Sequence, residues 1–270
     1  MVVFPNAKIN LGLSVTEKRT DGFHNIETVF YPVPLRDALE IIPSPDGDTE
    51  FKFSGLEIPG KVETNLCMKA WQRLKNDFRL PEIKFHLHKV IPMGAGLGGG
   101  SADGAFTIRL VNQVFDLKMR PEKMQDYARQ LGSDCAFFIE NNPVFASGKG
   151  DHFEKIDLNL SGYFLVLVKP GKSVSTSLAY ASIIPAKPEI SVKEIIKLPV
   201  EKWKDLLKNY FENNVFKSYP EIETIKKQLY DSGALYASMS GSGSAVYGIF
   251  DAEINLKVAF PDCFYWSGWF

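Results

Sequence analysis

The chain has 270 residues, so at about 150 residues per domain it holds one large domain or two modest ones. Its 31 basic and 32 acidic residues leave a net charge of −1, which argues against a general nucleic-acid binder and against an anionic membrane surface as partner. A composition of 45% hydrophobic and 23% charged residues excludes disorder as the main state.

The first element is a strand from Ala7 to Val15. Ala7, Ile9, Leu11, Leu13 and Val15 alternate with Lys8, Asn10, Gly12 and Ser14, so the odd set packs inward and Lys8 shares a polar face with Asn10. Asp21-Gly22 marks a turn, followed by an unusual Phe23-His24 pair. Further strands are expected over 26–33, 39–42 and 50–53. A helix is expected from about 64 to 78, with Cys67, Ala70, Trp71, Leu74 and Phe78 on one face. A strand over 83–91 alternates Phe85 and Leu87 with His86 and His88. That histidine pair reads as a solvent-facing polar strip, since no cysteine or acidic cluster lies near it in sequence.

The densest feature follows: Pro92-Met93-Gly94-Ala95-Gly96-Leu97-Gly98-Gly99-Gly100-Ser101-Ala102-Asp103. Ala105, Ile108, Val111 and Phe115 then repeat at helical spacing. Pro121 suits the first position of another helix, which ends near Gly132. A buried strand is expected over 163–168, helices at 191–198, 201–213 and 220–232, and a strand, glycine loop and strand from 234 to 250. The best domain break lies near Gly148-Lys149-Gly150, giving domains 1–152 and 153–270. The aromatic tail 264–270 reads as a last strand, one that could return to the first domain.

Glycines let backbone amides converge on a ligand, and a helix start adds free N–H groups and the positive end of its dipole. A glycine loop ahead of a helix therefore points to phosphate. Gly94, Gly96 and Gly99 satisfy GxGxxG, but several strands precede the loop and the helix is expected to start only at Ser101, so a dinucleotide fold is disfavoured. No Lys-Ser/Thr follows Gly100, so this is not a Walker A loop. Gly171-Lys172-Ser173 resembles the tail of one by chance. Lys8 and Lys89 are the candidate cations, and Asp134, after Gly132-Ser133, is a candidate carboxylate for phosphoryl transfer.

Four segments in order (Pro5 to Leu11, Pro92 to Asp103, Leu131 to Asp134, and Ser238 to Gly243) resemble the GHMP small-molecule kinase superfamily. The resemblance implies an α+β fold of two domains, the first ribosomal-protein-S5-domain-2-like and the second ferredoxin-like. It implies ATP as phosphoryl donor, with magnesium. The acceptor would be a tertiary hydroxyl of a cytidine diphosphate-linked methylerythritol, with no nucleic acid or membrane as partner. Asp134 would orient and deprotonate that hydroxyl, and Lys8 would be its electrostatic partner. Asn65, Lys89 and the segment Pro92–Ala102 would serve ATP. Asn10, His24, Thr176 and Gly241 would serve the substrate, with Phe23 and Tyr180 sandwiching cytosine. A homoserine or mevalonate kinase type and a non-catalytic nucleotide binder are the alternatives. The chain departs from the usual motifs at Phe23 (commonly tyrosine), at Ala95 (commonly glycine), and at Ser101-Ala102-Asp103 (commonly Ser-Ser-Asn). Asp103 should point away from a bound phosphate.

The three cysteines, Cys67, Cys135 and Cys263, are odd in number and widely spaced, which reads as a reducing compartment without disulfides or zinc. With no long apolar run and no basic leader, a cytoplasmic location is expected.

Overall fold

The computed structural model describes residues 1–181 and 183–270. In chain order the strands are β1 (Val2–Val3), β2 (Asn6–Lys18), β3 (His24–Arg36), β4 (Ala38–Pro43), β5 (Glu50–Gly55), β6 (Ile83–Lys89), β7 (Val144–Ser147), β8 (His152–Lys155), β9 (Phe164–Lys169), β10 (Tyr236–Met239), β11 (Val246–Phe250) and β12 (Phe264–Trp269). The α-helices are α1 (Leu66–Phe78), α2 (Gly99–Val114), α3 (Pro121–Arg129), α4 (Phe137–Glu140), α5 (Thr176–Tyr180), α6 (Val192–Ile195), α7 (Trp203–Leu206), α8 (Glu212–Ser218) and α9 (Pro220–Asp231). No helix among the described residues is long and apolar enough to cross a membrane.

Two compact units emerge, and neither is one stretch of chain. The first comprises Met1–Ala7, Leu35–Met93 and Gly98–Asn142; the second comprises Lys8–Pro34, Gly94–Leu97 and Pro143–Phe270. The glycine loop is thus divided between them.

The first unit holds a sheet of order β1-β4-β6-β5, in which only β5 and β6 pair in parallel. Helix α1 buries Cys67, Ala70, Trp71 and Leu74 of the expected stripe, leaves Phe78 half-buried, and packs along α2. The Asn65 side chain caps α1 by accepting from the Cys67 N–H at 2.8 Å, which such caps convert into about 1 kcal/mol of stability. Helix α2 starts at Gly99, two residues earlier than expected, because Gly98 takes the left-handed conformation (φ 71°) and turns the chain into it. His86 and His88 lie exposed on β6, and both hydrogen-bond the Ser54 hydroxyl.

The second unit holds two sheets, β10-β11-β9-β12 and, apart from strand ends, β2-β3-β7-β8. The first of these is antiparallel throughout. Strand β9 is buried along its whole length. Helix α9 packs on β10 and β11 through a core that includes Ile222, Ile225 and Leu229. The aromatic tail forms β12 and pairs with β9 in the second unit rather than with a strand of the first domain. Its final ring, Phe270, meets Tyr31 edge-on at 5.3 Å.

Two expected helices are shorter than the periodicity suggests. The 191–198 segment is helical only over α6, where the Ser191 hydroxyl accepts from Lys193 N–H and Glu194 turns to Lys197 instead of closing a capping box. The 201–213 segment breaks at Leu207, whose backbone is extended (φ −90°, ψ 102°), and Asn209 forms a parallel bridge with Leu13.

Candidate active site

The alternation in β2 holds, but its polar face does not meet solvent: every residue from Asn6 to Val15 is buried. Remote segments cover that face. A Cβ on Gly12 would meet the Leu207 and Val192 side chains. The Tyr247 hydroxyl donates to the Asn10 carbonyl at 2.7 Å, and Asn10 N–H donates to the Ser240 hydroxyl at 3.3 Å. Burying polar groups requires partners for them. Lys8 Nζ donates to Asn10 Oδ1 at 2.6 Å and lies 4.7 Å from the Phe30 ring centroid. Asn10 Nδ2 in turn donates to Thr28 Oγ1 at 3.0 Å.

This face is tied directly to the second unit's share of the glycine loop. Lys8 N–H donates to the Leu97 carbonyl at 2.9 Å, the Ser240 hydroxyl donates to the Gly96 carbonyl at 2.8 Å, and Ala245 N–H donates to the Ala95 carbonyl at 3.1 Å. Asn209 Nδ2 bridges the Met239 and Gly241 carbonyls at 2.7 and 2.8 Å, which fixes the 240–243 loop. Gly94 lies beside Ser173, and the adjoining Lys172 carbonyl accepts from Ser244 Oγ at 2.5 Å. The Gly171-Lys172-Ser173 segment therefore braces the loop region instead of forming a nucleotide loop of its own. Gly96 carries the tightest restraint. Its φ is +75°, and a Cβ there would run into the Ser240 carbonyl. Gly96→Ala should lower the melting temperature more than Gly47→Ala does. Gly47, at φ +79° with open space around it, reports only the dihedral cost of about 1–2 kcal/mol. Equal losses in a thermal scan would mean that the Ser240 contact carries nothing.

The expected substrate residues also fall in the second unit, but their rings are arranged differently from the sandwich. His24, not Phe23, faces Tyr180: the ring centroids are 4.8 Å apart and the planes 22° apart. Tyr180 also takes the Phe211 ring edge-on at 4.7 Å. Phe23 is 58% exposed and lies under the Lys149 ammonium at 5.1 Å. Thr176, at the start of α5, places its hydroxyl 3.3 Å from that of Ser242.

In the first unit, Asp134 lies half-buried in the turn before α4, with Ser133 Oγ 3.3 Å from its Oδ1. Its neighbour Cys135 is buried close to Ser101, in the first turn of α2. Burial pushes the Cys135 thiol up to about 12, with Ser101 opposing and Asp134 adding to the shift. Asp134 is thereby anchored next to the N-terminal turn of α2. A cavity of about 420 Å³ opens beside that turn, lined by Gly100, Met93, Asp103, Asn65 and apolar groups such as Leu56 and Val62.

Lys89 does not serve the loop as an exposed cation. Its side chain is fully buried and ion-paired with Asp37 Oδ2 at 2.5 Å and Asp103 Oδ2 at 2.7 Å. Burial works against its charge, but the two carboxylates outweigh burial, so its pKa is raised above the ordinary lysine value. Asp37 Oδ1 accepts from Val90 and Ile91 N–H at 2.6 and 2.8 Å, which fixes the chain entering the loop. Asp103 turns inward onto Lys89. Asp37, Thr28 and Asn209 are site-building residues that the motifs do not mark. Their one sequence signal is a polar side chain set in an apolar run, as with Asp37 between two strands.

The description "GHMP kinases N terminal domain" fits residues 65–142, and "GHMP kinases C terminal" fits 191–264. A 4-diphosphocytidyl-2-C-methyl-D-erythritol kinase from Bacteroides fragilis is 56% identical over 267 residues, covering 98% of this chain and 97% of that one. One of the same name from Parabacteroides distasonis is 53% identical over 270 residues, covering 99% of each. The crystal structure of a 4-(cytidine 5'-diphospho)-2C-methyl-D-erythritol kinase superposes with a TM-score of 0.84 at 29% identity, covering 99% of this chain and 98% of that one. A glycine loop leading into a helix start, on an α+β frame matched over its whole length, leaves one conclusion: the chain belongs to the GHMP kinases and, among them, to the 4-diphosphocytidyl-2-C-methyl-D-erythritol kinases.

Proposed function

We propose that the chain transfers the γ-phosphoryl group of ATP to the 2-hydroxyl of 4-diphosphocytidyl-2-C-methyl-D-erythritol, giving the 2-phosphate and ADP on the route to isoprenoid precursors. The observation that carries this reading is the N-terminus of α2. It follows the glycine loop and adjoins both the Asn65 cavity and the turn that holds Asp134. Free N–H groups and the helix dipole suit the phosphates. The cavity, walled by Leu56, Val62 and Met93, suits the base and sugar of the nucleotide.

Asp134 accepts the proton of the acceptor hydroxyl as the hydroxyl oxygen attacks the γ-phosphorus and ADP departs in line. Lys8 contributes positive charge to the transfer and is oriented for it by Asn10. Of the residues expected to serve ATP, Asn65 and the 92–102 segment keep that role, whereas Lys89 acts from beneath α2 through its two carboxylates. Tyr180 offers a ring face to cytosine. A base that stacks there displaces the His24 imidazole, exchanging one ring contact for another and freeing His24 for the base edge. Gly241 and Thr176 border the same loop.

Magnesium arrives with the nucleotide. The phosphates held at the N-terminus of α2 would carry the ion, and no protein ligand is assigned to it. When bound, the ion neutralises phosphate charge. In family terms we assign 1–152 to the ATP-side domain and 153–270 to the substrate-side domain. The three free cysteines suit a cytoplasmic setting.

A coupled ADP-release assay across candidate alcohols tests the reading. Turnover is expected with the cytidyl substrate and not with homoserine or mevalonate. Activity on homoserine with none on the cytidyl substrate would reassign the enzyme within the family.

A further inference from the structure

Beneath the first turn of α2 lies a charge imbalance. Asp103, four residues into the helix, and Asp37 share the single ammonium of Lys89. All three are at least 97% buried, with exposures of 3%, 1% and 1%. The other groups facing Asp103 are the Cys67 thiol on α1, which burial keeps protonated, and the Thr107 hydroxyl, which is spent on the Asp103 carbonyl. Among the described residues no second cation enters the cluster. With both carboxylates ionised the cluster carries −1. It lies close under the turn: a Cβ on Gly99 would come within 2.9 Å of Lys89 Nζ. A net negative cluster directly behind a phosphate-binding turn opposes the ligand that the turn is built for.

One oxygen in the cluster is uncommitted. Asp103 Oδ1 is buried and has no hydrogen-bond partner, whereas both Asp37 oxygens and Asp103 Oδ2 are engaged. We propose that Asp103 is a proton acceptor linked to the nucleotide: when phosphates occupy the N-terminus of α2, one proton passes from solvent to Asp103 and the cluster goes from −1 to neutral. The balance is simple. An O–H bond forms on the Asp103 carboxylate, the proton is supplied by water or buffer, and nothing is oxidised or reduced. This rests on the nucleotide reading given above. The carboxyl is set to switch near neutrality, since burial pushes it up to about 7, with Lys89 pulling it down and Asp37 adding to the rise. An added phosphate charge moves it further up. The asparagine common at this position among related motifs could not take the proton.

The test is calorimetric titration of the full chain with a non-hydrolysable ATP analogue and magnesium, at pH 7.5, in two buffers of different ionisation enthalpy. The wild type is expected to take up roughly half a proton more than Asp103→Asn, and its affinity to fall about threefold per pH unit around that point. Adenosine, which fills the cavity without charge, should bind with no such difference. Equal uptake by both proteins with the analogue would overturn the proposal. If the wild type binds neither analogue nor adenosine, the nucleotide reading itself fails. Should Asp103→Asn not fold, the infrared difference spectrum of the wild type decides: the analogue must bring up a protonated-carboxyl band, and its absence sinks the idea.

Discussion

Asp134→Asn is expected to cut kcat on the cytidyl substrate by about 10²–10⁴-fold, the usual share of a positioned base, while the KM for ATP changes little. Asparagine keeps the shape of the side chain and the approach of Ser133 Oγ, and it leaves Cys135 in contact with Ser101. What it removes is the ability to take the acceptor proton. ATP affinity persists because Asn65, the cavity and the α2 turn do not depend on the carboxylate. Lys8→Met should also lower kcat, but as lost charge stabilisation, without abolishing the proton transfer. A steady-state assay with both variants separates these effects. Near wild-type turnover by Asp134→Asn would remove it as the base, and a large rise in the KM for ATP would mean that the turn before α4 had collapsed onto α2.

Much of this site is legible in the residues, and what is not has identifiable causes. Glycine density followed by helical periodicity marks the turn we assign to phosphate, because few backbones other than a ligand cradle need so many glycines there. The alternation in β2 places Lys8 and Asn10 on one face. It cannot say whether that face is wet, since the groups that cover it, Leu207, Ser240 and Tyr247, are about 200 residues away in sequence. Lys89 shows the same difficulty with the opposite consequence. As the only lysine near the loop it reads as a phosphate ligand, yet Asp37, at the end of β3, has claimed its charge. Pairings of that kind arise from sheet order, not local pattern. The helix expected over 201–213 breaks because Asn209 does more in an extended bridge, holding the 240–243 loop, than a helical turn would gain. Phe23 and His24 are adjacent, so their spacing cannot settle which ring meets Tyr180. Strand β3 begins at His24, and it is this ring that lies on Tyr180.

The Asp37–Lys89–Asp103 cluster makes the largest stability prediction. Lys89→Met keeps most of the buried stem but leaves two carboxylates close together with no cation. Breaking a buried pair in this way costs about 3–5 kcal/mol, and the effect reaches the loop through Val90 and Ile91, whose N–H groups Asp37 holds. The loss must depend on pH. Without the ammonium, which pulls it down, the Asp103 carboxyl is pushed by burial still further above the unfolded value of about 4, so the folded state binds more protons than the unfolded chain. Such a group contributes stability below its unfolded pKa and loses it as pH rises through the folded one. Urea unfolding should therefore show a clearly smaller loss for Lys89→Met at pH 5 than at pH 8. Adding Asp37→Asn, whose amide oxygen still accepts from Val90 and Ile91, together with Asp103→Asn should restore more than half of it. A loss at pH 8 below about 1 kcal/mol, within the range of an exposed pair, would show that water reaches the cluster and that α2 does not rest on it.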